Sequence, residues 1–524
     1  MIVLARRSRD YNNDSMTDLA RNDGMKKDIL LIHPGDQTKT YQDLAGAFTA
    51  IAPPVWLTLI ADFLRREDFD VAIYDSNVEG WSSRTAHDLL YRFNPELVVI
   101  MAYGHNPSAS TQTMPAAIAT AKDIKAANPS LPLAVGGLHP TVLPERTLME
   151  TSADFIVKGE AVHPIRSLLE YLKGRRTRSE LVGVCARARD GTYWNQPPAE
   201  PIKDLDHTLR GYAWDLLPSL KMYRAHNSHT IQYFRHSTRP DFADVRSPYA
   251  VLYTSLGCPY RCAFCCINAL FGRPGIRYWG LDTVMGWIDE LAQQHHVKHI
   301  RLDDELFVLD PRRVEHFCDM LIERKYDLNL WVYARVDTIS RSLLKRMRSA
   351  GIQWICLGIE AGNDDVRRRV NKKIGRDVEE IRAIIRDHDI NVLGNYMFGL
   401  PGDTESTMQQ TLDLAIQLNC EFANFYCAMA YPGSKLYEEW SARAPAELPE
   451  TWHGFSQHSY ESKPLPTDHL SAAQVLAFRD RAFHAYFTSP AYLTMIREKF
   501  GPVAEQHIQQ MTSIRLQRKL LENR

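Results

Sequence analysis

At 524 residues the chain is too long for one ordinary hydrophobic core, so two or three domains are expected. It is 45% hydrophobic and 24% charged with a formal net charge of -1, a balance that gives no electrostatic footing for nucleic acid or an anionic membrane. No apolar run reaches membrane-spanning length and the start, MIVLARRSRDYNNDSM, is too weakly apolar for an export signal, so a cytoplasmic protein is expected.

Residues 1–25 read as a flexible polar tail. Structure begins at KKDILLIHPG, where Ile29 to His33 reads as a buried parallel strand closed by a Pro-Gly turn. PPVWLTLIADFLRRE then reads as a helix, with Pro53 and Pro54 at its tolerant start. Strand-like FDVAIYDSN, PELVVIMAYG, PLAVGGLHP and DFIVKGE alternate with helical RTAHDLLYRF, MPAAIATAKDIKAA and HPIRSLLEYLKG. The alternation predicts a doubly wound, Rossmann-like parallel sheet over residues 26–175. Residues 176–245 are rich in Pro, Asp and Arg and predict a small hairpin followed by an irregular connector.

A second alternation runs through VLYTSLG, HIRLDDELF, LNLWVYARVD, WICLGIEAG, INVLGNYMFGLPG and FANFYCAMAYPG. Six strands with intervening helices predict a partial (β/α)6 barrel of the TIM type over residues 246–440, open on one side. Residues 441–524 predict a mostly helical region, and the terminal RLQRKLLENR reads as a solvated helix face.

Nine cysteines are too few for a disulfide scaffold, yet four of them crowd into SLGCPYRCAFCCINALFG. Cys258, Cys262 and Cys265 stand at C-x-x-x-C-x-x-C spacing just after the first barrel strand, at the mouth where such folds keep their chemistry. Three thiolates can hold three irons of a four-iron cluster and leave the fourth iron open, whereas structural zinc favours two C-x-x-C pairs and tetrahedral closure. Cys266, next to Cys265, reads as packing or support. In the first domain the strand-end loops HPGD, AYGHNPSAS, VGGLHPT and VKGEAVHP are where a doubly wound sheet binds a ligand. Gly136, Gly137 and Gly159 would leave room for a large planar group, and Ser108, Ser110 and Thr141 could supply hydrogen bonds; such glycines equally serve plain turns.

The triad, with Phe264 before its last cysteine, resembles the radical S-adenosylmethionine superfamily. Segments after it resemble the family's later strand ends in order: DDELF with Asp304 and Glu305, YARVD with Arg335, GIEAGND with Glu360, NYMFGLPGDT with Asn395 and Gly399, and AMAYPGSKLY with Ala430. The resemblance implies a 4Fe–4S cluster on the three cysteines, S-adenosylmethionine on the open iron, and contacts to it from these strand ends. PP-x-x-L, the GG-x-H-P-T turn and the K-G-E turn resemble the cobalamin-binding domain found ahead of many such enzymes. That implies cobalamin near Pro54, Tyr103, Gly104, Ser108, Gly136, Gly137, His139, Gly159 and Glu160. No D-x-H-x-x-G stretch supplies a lower cobalt ligand, and His33, His105, His139 and His163 are expected in loops.

The function so implied is methylation of an unactivated carbon (or phosphorus) centre of a small, biosynthetic molecule through methylcobalamin, driven by a 5′-deoxyadenosyl radical. A low-potential donor such as flavodoxin or ferredoxin would supply electrons. Two alternatives use the same residues: oxidative cyclisation or rearrangement without methyl transfer, and a cobalamin sensor that is no longer catalytic. Aromatics such as Tyr233, Phe455 and Tyr460 could line a pocket for an apolar or ring-shaped substrate, and His226, His229 and His236 could contact an anion.

Overall fold

The sequence ILLIH forms a strand because it is nearly all apolar and β-prone, and all five residues are buried on both sides, as suits the centre of a covered parallel sheet. In the computed structural model, which describes residues 26–35, 37–104, 108–188 and 191–522, this is β1 (Ile29–His33). The tail expected over residues 1–25, and His105, lie outside those residues. Beside β1 lie β2 (Val71–Asp75) and β3 (Leu97–Met101), followed by β4 (Leu133–Gly136) and β5 (Phe155–Val157). The order is β2-β1-β3-β4-β5 with every pair parallel, so the doubly wound domain is as expected. The direction of winding reverses between β1 and β3, which opens a crevice at their carboxyl ends.

The hairpin placed in the connector by the sequence belongs to this sheet. Its strands β6 (Val184–Arg187) and β7 (Tyr193–Asn195) extend the sheet to seven strands, β6 pairing antiparallel to β5. Short β5 would otherwise end the sheet with an unpaired edge.

The second sheet holds six parallel strands: β8 (Tyr249–Leu252), β11 (His299–Leu302), β12 (Asn329–Arg335), β13 (Ile352–Glu360), β14 (Asn391–Phe398) and β15 (Phe422–Cys427). They neighbour one another in chain order, the arrangement of the expected partial barrel. A two-residue pair, β9 (Ser255–Leu256) with β10 (Arg277–Tyr278), sits over its mouth. The open edge at β15 is closed by the carboxyl-terminal helices Ala472–Phe487 and Pro490–Phe500. Arg479 Nε donates to the Phe425 carbonyl at 2.8 Å, and the hydroxyls of Tyr486 and Tyr492 reach the carbonyls of Cys420 and Glu421 at 2.6 and 3.1 Å. These bonds satisfy backbone that an open barrel leaves bare.

Polar contacts tie the parts of the chain together. Fully buried Arg246 donates from Nε to the Ala225 carbonyl at 2.8 Å and from its terminal nitrogens to the carbonyls of Ala47 and Thr49 at 3.0 and 2.5 Å, so the connector locks onto the first domain. Glu160 joins Arg277 at 2.7 Å, and Trp452 Nε1 donates to Glu150 at 2.6 Å. Among the described residues no helix is long and apolar enough to cross a membrane.

Candidate active site

The cysteine loop leaves the sheet at a fixed point. Asp304, buried just past β11, accepts from the Thr254 N–H, the Thr254 hydroxyl and the Ser255 hydroxyl, each at 2.6 Å. Gly257 follows at φ +93°, where a Cβ would come within 2.5 Å of the Gly275 carbonyl oxygen, so only glycine makes this turn. Gly275 N–H closes the loop onto the Cys258 carbonyl at 3.1 Å. The thiols of Cys258, Cys262 and Cys265 thereby line one cavity of about 530 Å³ between the two sheets. Cys265 is the most accessible of them, and it forms part of the wall of that cavity. Burial pushes all three thiols up, so their deprotonation is left to a bound metal.

These positions suit a cluster better than a lone ion. A structural zinc usually takes four ligands in a closed tetrahedron, commonly from two C-x-x-C pairs. Three thiols spread along one loop and facing one space match a cubane, whose irons are separate corners. Cys266 is buried and lies outside the cavity wall, its Sγ 3.6 Å from the Ser108 hydroxyl.

The residues expected at the strand ends divide. Phe264, Glu305, Arg335, Glu360 and Asn395 line the cavity. Asp304, Gly399 and Ala430 are not on its wall: Asp304 holds the loop, Gly399 (φ +76°) gives Val475 of a carboxyl-terminal helix room to pack, and Ala430 is buried among Met397 and Leu436. Arg335 chelates Asp337 at 2.9 and 3.0 Å while its guanidinium lies 4.0 Å from the centre of the Tyr260 ring, pressing the cysteine loop against β12. Burial raises the Glu305 carboxyl to about 8, so it is largely protonated at neutral pH.

Glu360 carries a partner that sequence reading missed. The β13–β14 register breaks between Gly358 and Glu360, and Glu360 sits at φ +67°. A bulge of this kind re-aims a side chain, and here the carboxylate meets buried Lys372 at 2.8 Å. A Cβ on Gly358 would fall 2.8 Å from Glu360 Oε1 and 2.9 Å from Lys372 Nζ, so the glycine is the bed of this ion pair. Nothing in NKKIG marks Lys372; only the glycine two places before Glu360 hinted that something lies over it.

The first-domain residues also divide. Pro54, Tyr103 and Gly104 line a small cleft of about 90 Å³ at the crevice between β1 and β3, and Ser108 lines the large cavity. Tyr41, Gln112, Tyr253, Arg301 and Asp303 belong to both walls, so the two spaces are neighbours across one set of side chains. Gly136, Gly137, His139, Gly159 and Glu160 line neither. A Cβ on Gly136 would strike Met101 and Val157, and one on Gly137 the Ala102 carbonyl, which makes both glycines close-packing positions. Gly159 donates to the Thr141 hydroxyl at 2.9 Å, and Glu160 is committed to Arg277 and the Ile202 N–H.

The three of these histidines that lie among the described residues are not in loops. His33 ends β1, His139 lies in the short helix Leu138–Val142 and His163 in the helix Val162–Leu172. His139 sits under Trp452 with ring centres 4.3 Å apart, and burial lowers it to about 3. His33 faces the cleft with both nitrogens engaged, Nδ1 at 3.0 Å from Asp75 and Nε2 at 3.3 Å from the Tyr103 carbonyl. Burial works against its charged form, but Asp75 and the Tyr103 carbonyl outweigh that and raise its pKa, and Asn77 Nδ2 also lies 3.1 Å from Nδ1, so both ring nitrogens are committed within the protein. The Tyr103 hydroxyl, buried and without a partner, also belongs to the cleft wall. The first domain would hold a corrin at the strand ends, where Pro54, Tyr103 and Gly104 line the cleft, while His139 lines neither space.

Residues 41–169 match the family model of the B12 binding domain, and residues 252–415 that of the radical SAM superfamily. The chain is 25% identical over 471 residues to an uncharacterised methyltransferase of Pyrococcus horikoshii, covering 89% of this chain and 93% of the relative. It is also 25% identical over 474 residues to the anaerobic magnesium-protoporphyrin IX monomethyl ester cyclase of Rubrivivax gelatinosus, covering 89% and 78%. Its fold matches that of TsrM, a radical S-adenosylmethionine methyltransferase of Kitasatospora setae solved with tryptophan and a SAM analog, with TM-score 0.63, 16% identity and coverage of 93% and 98%.

Replacing Cys258, Cys262 or Cys265 singly by serine is expected to reduce iron content after anaerobic reconstitution to background and to erase the visible cluster absorption. Cys266→Ser should leave both close to wild type, because its thiol faces Ser108.

Proposed function

For a chain that belongs to the cobalamin-dependent radical S-adenosylmethionine methyltransferases, enzymes that act on varied substrates, we propose methyl transfer to an unactivated carbon or phosphorus centre of a small molecule. The observation that carries this reading is a shared wall: the cavity lined by the three thiols of one loop and the strand-end cleft of the first domain lie against the same five residues. When bound, the cluster and corrin supply, respectively, the electron that splits S-adenosylmethionine to a 5′-deoxyadenosyl radical and the methyl group that the substrate receives.

The chain's own part is holding, orienting and shielding. Cys258, Cys262 and Cys265 hold the cluster. Glu360 and Lys372 offer a fixed pair of opposite charges at the barrel mouth, a complement to the zwitterionic end of an amino-acid-like cosubstrate. Neutral Glu305 adds a hydroxyl-type donor beside the loop, and Asn395 is oriented by Cys356 and Asn424, each at 3.0 Å. The carboxyl-terminal helices cover the open edge and keep bulk water from a radical site.

The rim of the cysteine loop supports docking of a low-potential electron donor. Arg261, Arg273, Arg369 and Lys373 are exposed there and have no ion-pair partner among the described residues, whereas neighbouring Arg367 and Arg368 are matched by Asp364 and Asp365. Ala263 N–H bonds the Val370 carbonyl at 3.0 Å, which joins the two segments into one cationic face on a chain whose net charge is only -1. An acidic flavodoxin or ferredoxin fits that face.

A second reading has an observation in its favour: one relative of equal identity is a cyclase. The products separate the two. Methyl transfer predicts S-adenosylhomocysteine together with 5′-deoxyadenosine in turnover assays with substrate; substrate-dependent 5′-deoxyadenosine without S-adenosylhomocysteine would favour cyclisation or rearrangement. For the donor face, Arg261→Glu combined with Lys373→Glu is expected to slow cluster reduction by an acidic protein donor roughly tenfold at low salt, with reduction by dithionite unchanged. Equal rates with the protein donor would refute the face.

A further inference from the structure

The charges on the cavity wall are already matched. Arg301 chelates Asp303 at 2.9 and 3.0 Å, Arg335 chelates Asp337, Lys372 meets Glu360 at 2.8 Å, and Arg479 meets Asp480 at 2.9 Å. Among the described residues, every Lys or Arg side chain lining the cavity therefore has its carboxylate. The other polar groups described there carry no positive charge. Gln457 is used by the backbone of Cys427, accepting at 2.8 Å and donating at 2.9 Å. His226 is lowered to about 3 and His458 well below its ordinary value, both by burial first and then by neighbouring arginines, so both rings are neutral near pH 7.

The rest of the wall is mostly apolar and rich in rings, with the tyrosines Tyr253, Tyr333 and Tyr426 and the amides Asn395 and Asn424 among its neutral polar groups. Trp331 and Phe422 stand early in β12 and β15, deep below the mouth that carries the cysteines, and His226 lies edge-on to Phe422 at 5.6 Å. Phe48 comes from the first domain, and Phe483 and Met511 from carboxyl-terminal helices, so all three parts of the chain contribute. An anion entering such a space would lose its water and find no free cation, a loss of several kcal/mol. A neutral ring would trade water for aromatic contact.

We propose that the deep part of this cavity is a substrate chamber for an uncharged, largely apolar ring molecule, and that its matched charges reject anions such as phosphonates and carboxylates. This rests on the methyl-transfer reading and narrows it to a carbon centre, since a phosphorus acceptor of this kind arrives as an anion. It also runs against the expectation that His226 and His229 contact an anion: His229 is buried and donates from Nε2 to the Asn329 carbonyl, 2.9 Å away.

A matched pair of probes tests it without knowledge of the substrate. N-phenyl-1-naphthylamine and 1-anilinonaphthalene-8-sulfonate share one ring system and differ by a sulfonate. Equilibrium dialysis against the full-length chain, with and without reconstituted cofactors, is expected to show the neutral probe binding at least tenfold more tightly. Asp303→Asn, which frees Arg301 inside the cavity with almost no change of shape, is expected to narrow that ratio at least fivefold by improving sulfonate binding. Equal or tighter binding of the sulfonate to wild type overturns the proposal, and so does a ratio unmoved by Asp303→Asn, since the probes would then bind elsewhere. Probe binding needs no turnover, so a chain that passes this test yet transfers no methyl group would sink the methylation reading and leave the chamber standing.

Discussion

Three hydrogen bonds into one buried carboxylate determine where this site can be. Asp304 receives Thr254 and Ser255 at 2.6 Å, and Gly257 then turns the chain through a conformation that side chains rarely adopt. The cysteine loop consequently starts from a rigid point on the sheet instead of wandering over the mouth. Arg335, stacked on Tyr260, holds the far side of the same loop. A cluster bound by three thiols of one short loop is only as well placed as that loop, so these contacts matter to its position as much as the thiols do.

Charge is handled by the same logic of local completion. The cavity wall contains several ionised groups, and each stands beside its opposite: Glu360 with Lys372 over the space left by Gly358, Arg301 with Asp303 between the two spaces. In a weakly polar interior an unmatched charge is costly while a matched pair is tolerated. The pairs thus keep the site polar enough to orient a zwitterionic cosubstrate at the mouth, and leave the deeper part neutral. His33 is another instance, its two ring nitrogens engaged by Asp75 and by the Tyr103 carbonyl.

Much of this was legible in the sequence, and the boundary has a physical cause. Strands such as ILLIH and LVVIM announce themselves because both faces are buried, and the cysteine spacing is local chemistry. The carboxyl-end position of Glu305, Arg335 and Glu360 follows from strand order alone. What failed depended on partners far along the chain. Asp304 and Glu305 are adjacent and chemically alike, yet one faces inward to the loop and the other lines the cavity. Glu160 looked like part of a ligand-binding turn and is bound to Arg277, and Gly136 and Gly137 looked like room for a corrin and are filled by Met101, Val157 and the Ala102 carbonyl. Lys372 left no local trace. Long-range pairs of this kind are set by topology, which one sequence read locally does not contain.

The account stands on one iron corner that no protein group occupies. Electron paramagnetic resonance of the reduced, reconstituted chain before and after addition of S-adenosylmethionine measures it directly. A free corner predicts that the spectrum shifts on addition, and shifts further with a cosubstrate isotopically labelled at its amino nitrogen through new hyperfine coupling. A spectrum unchanged by S-adenosylmethionine, from a chain fully loaded with cluster, would contradict it.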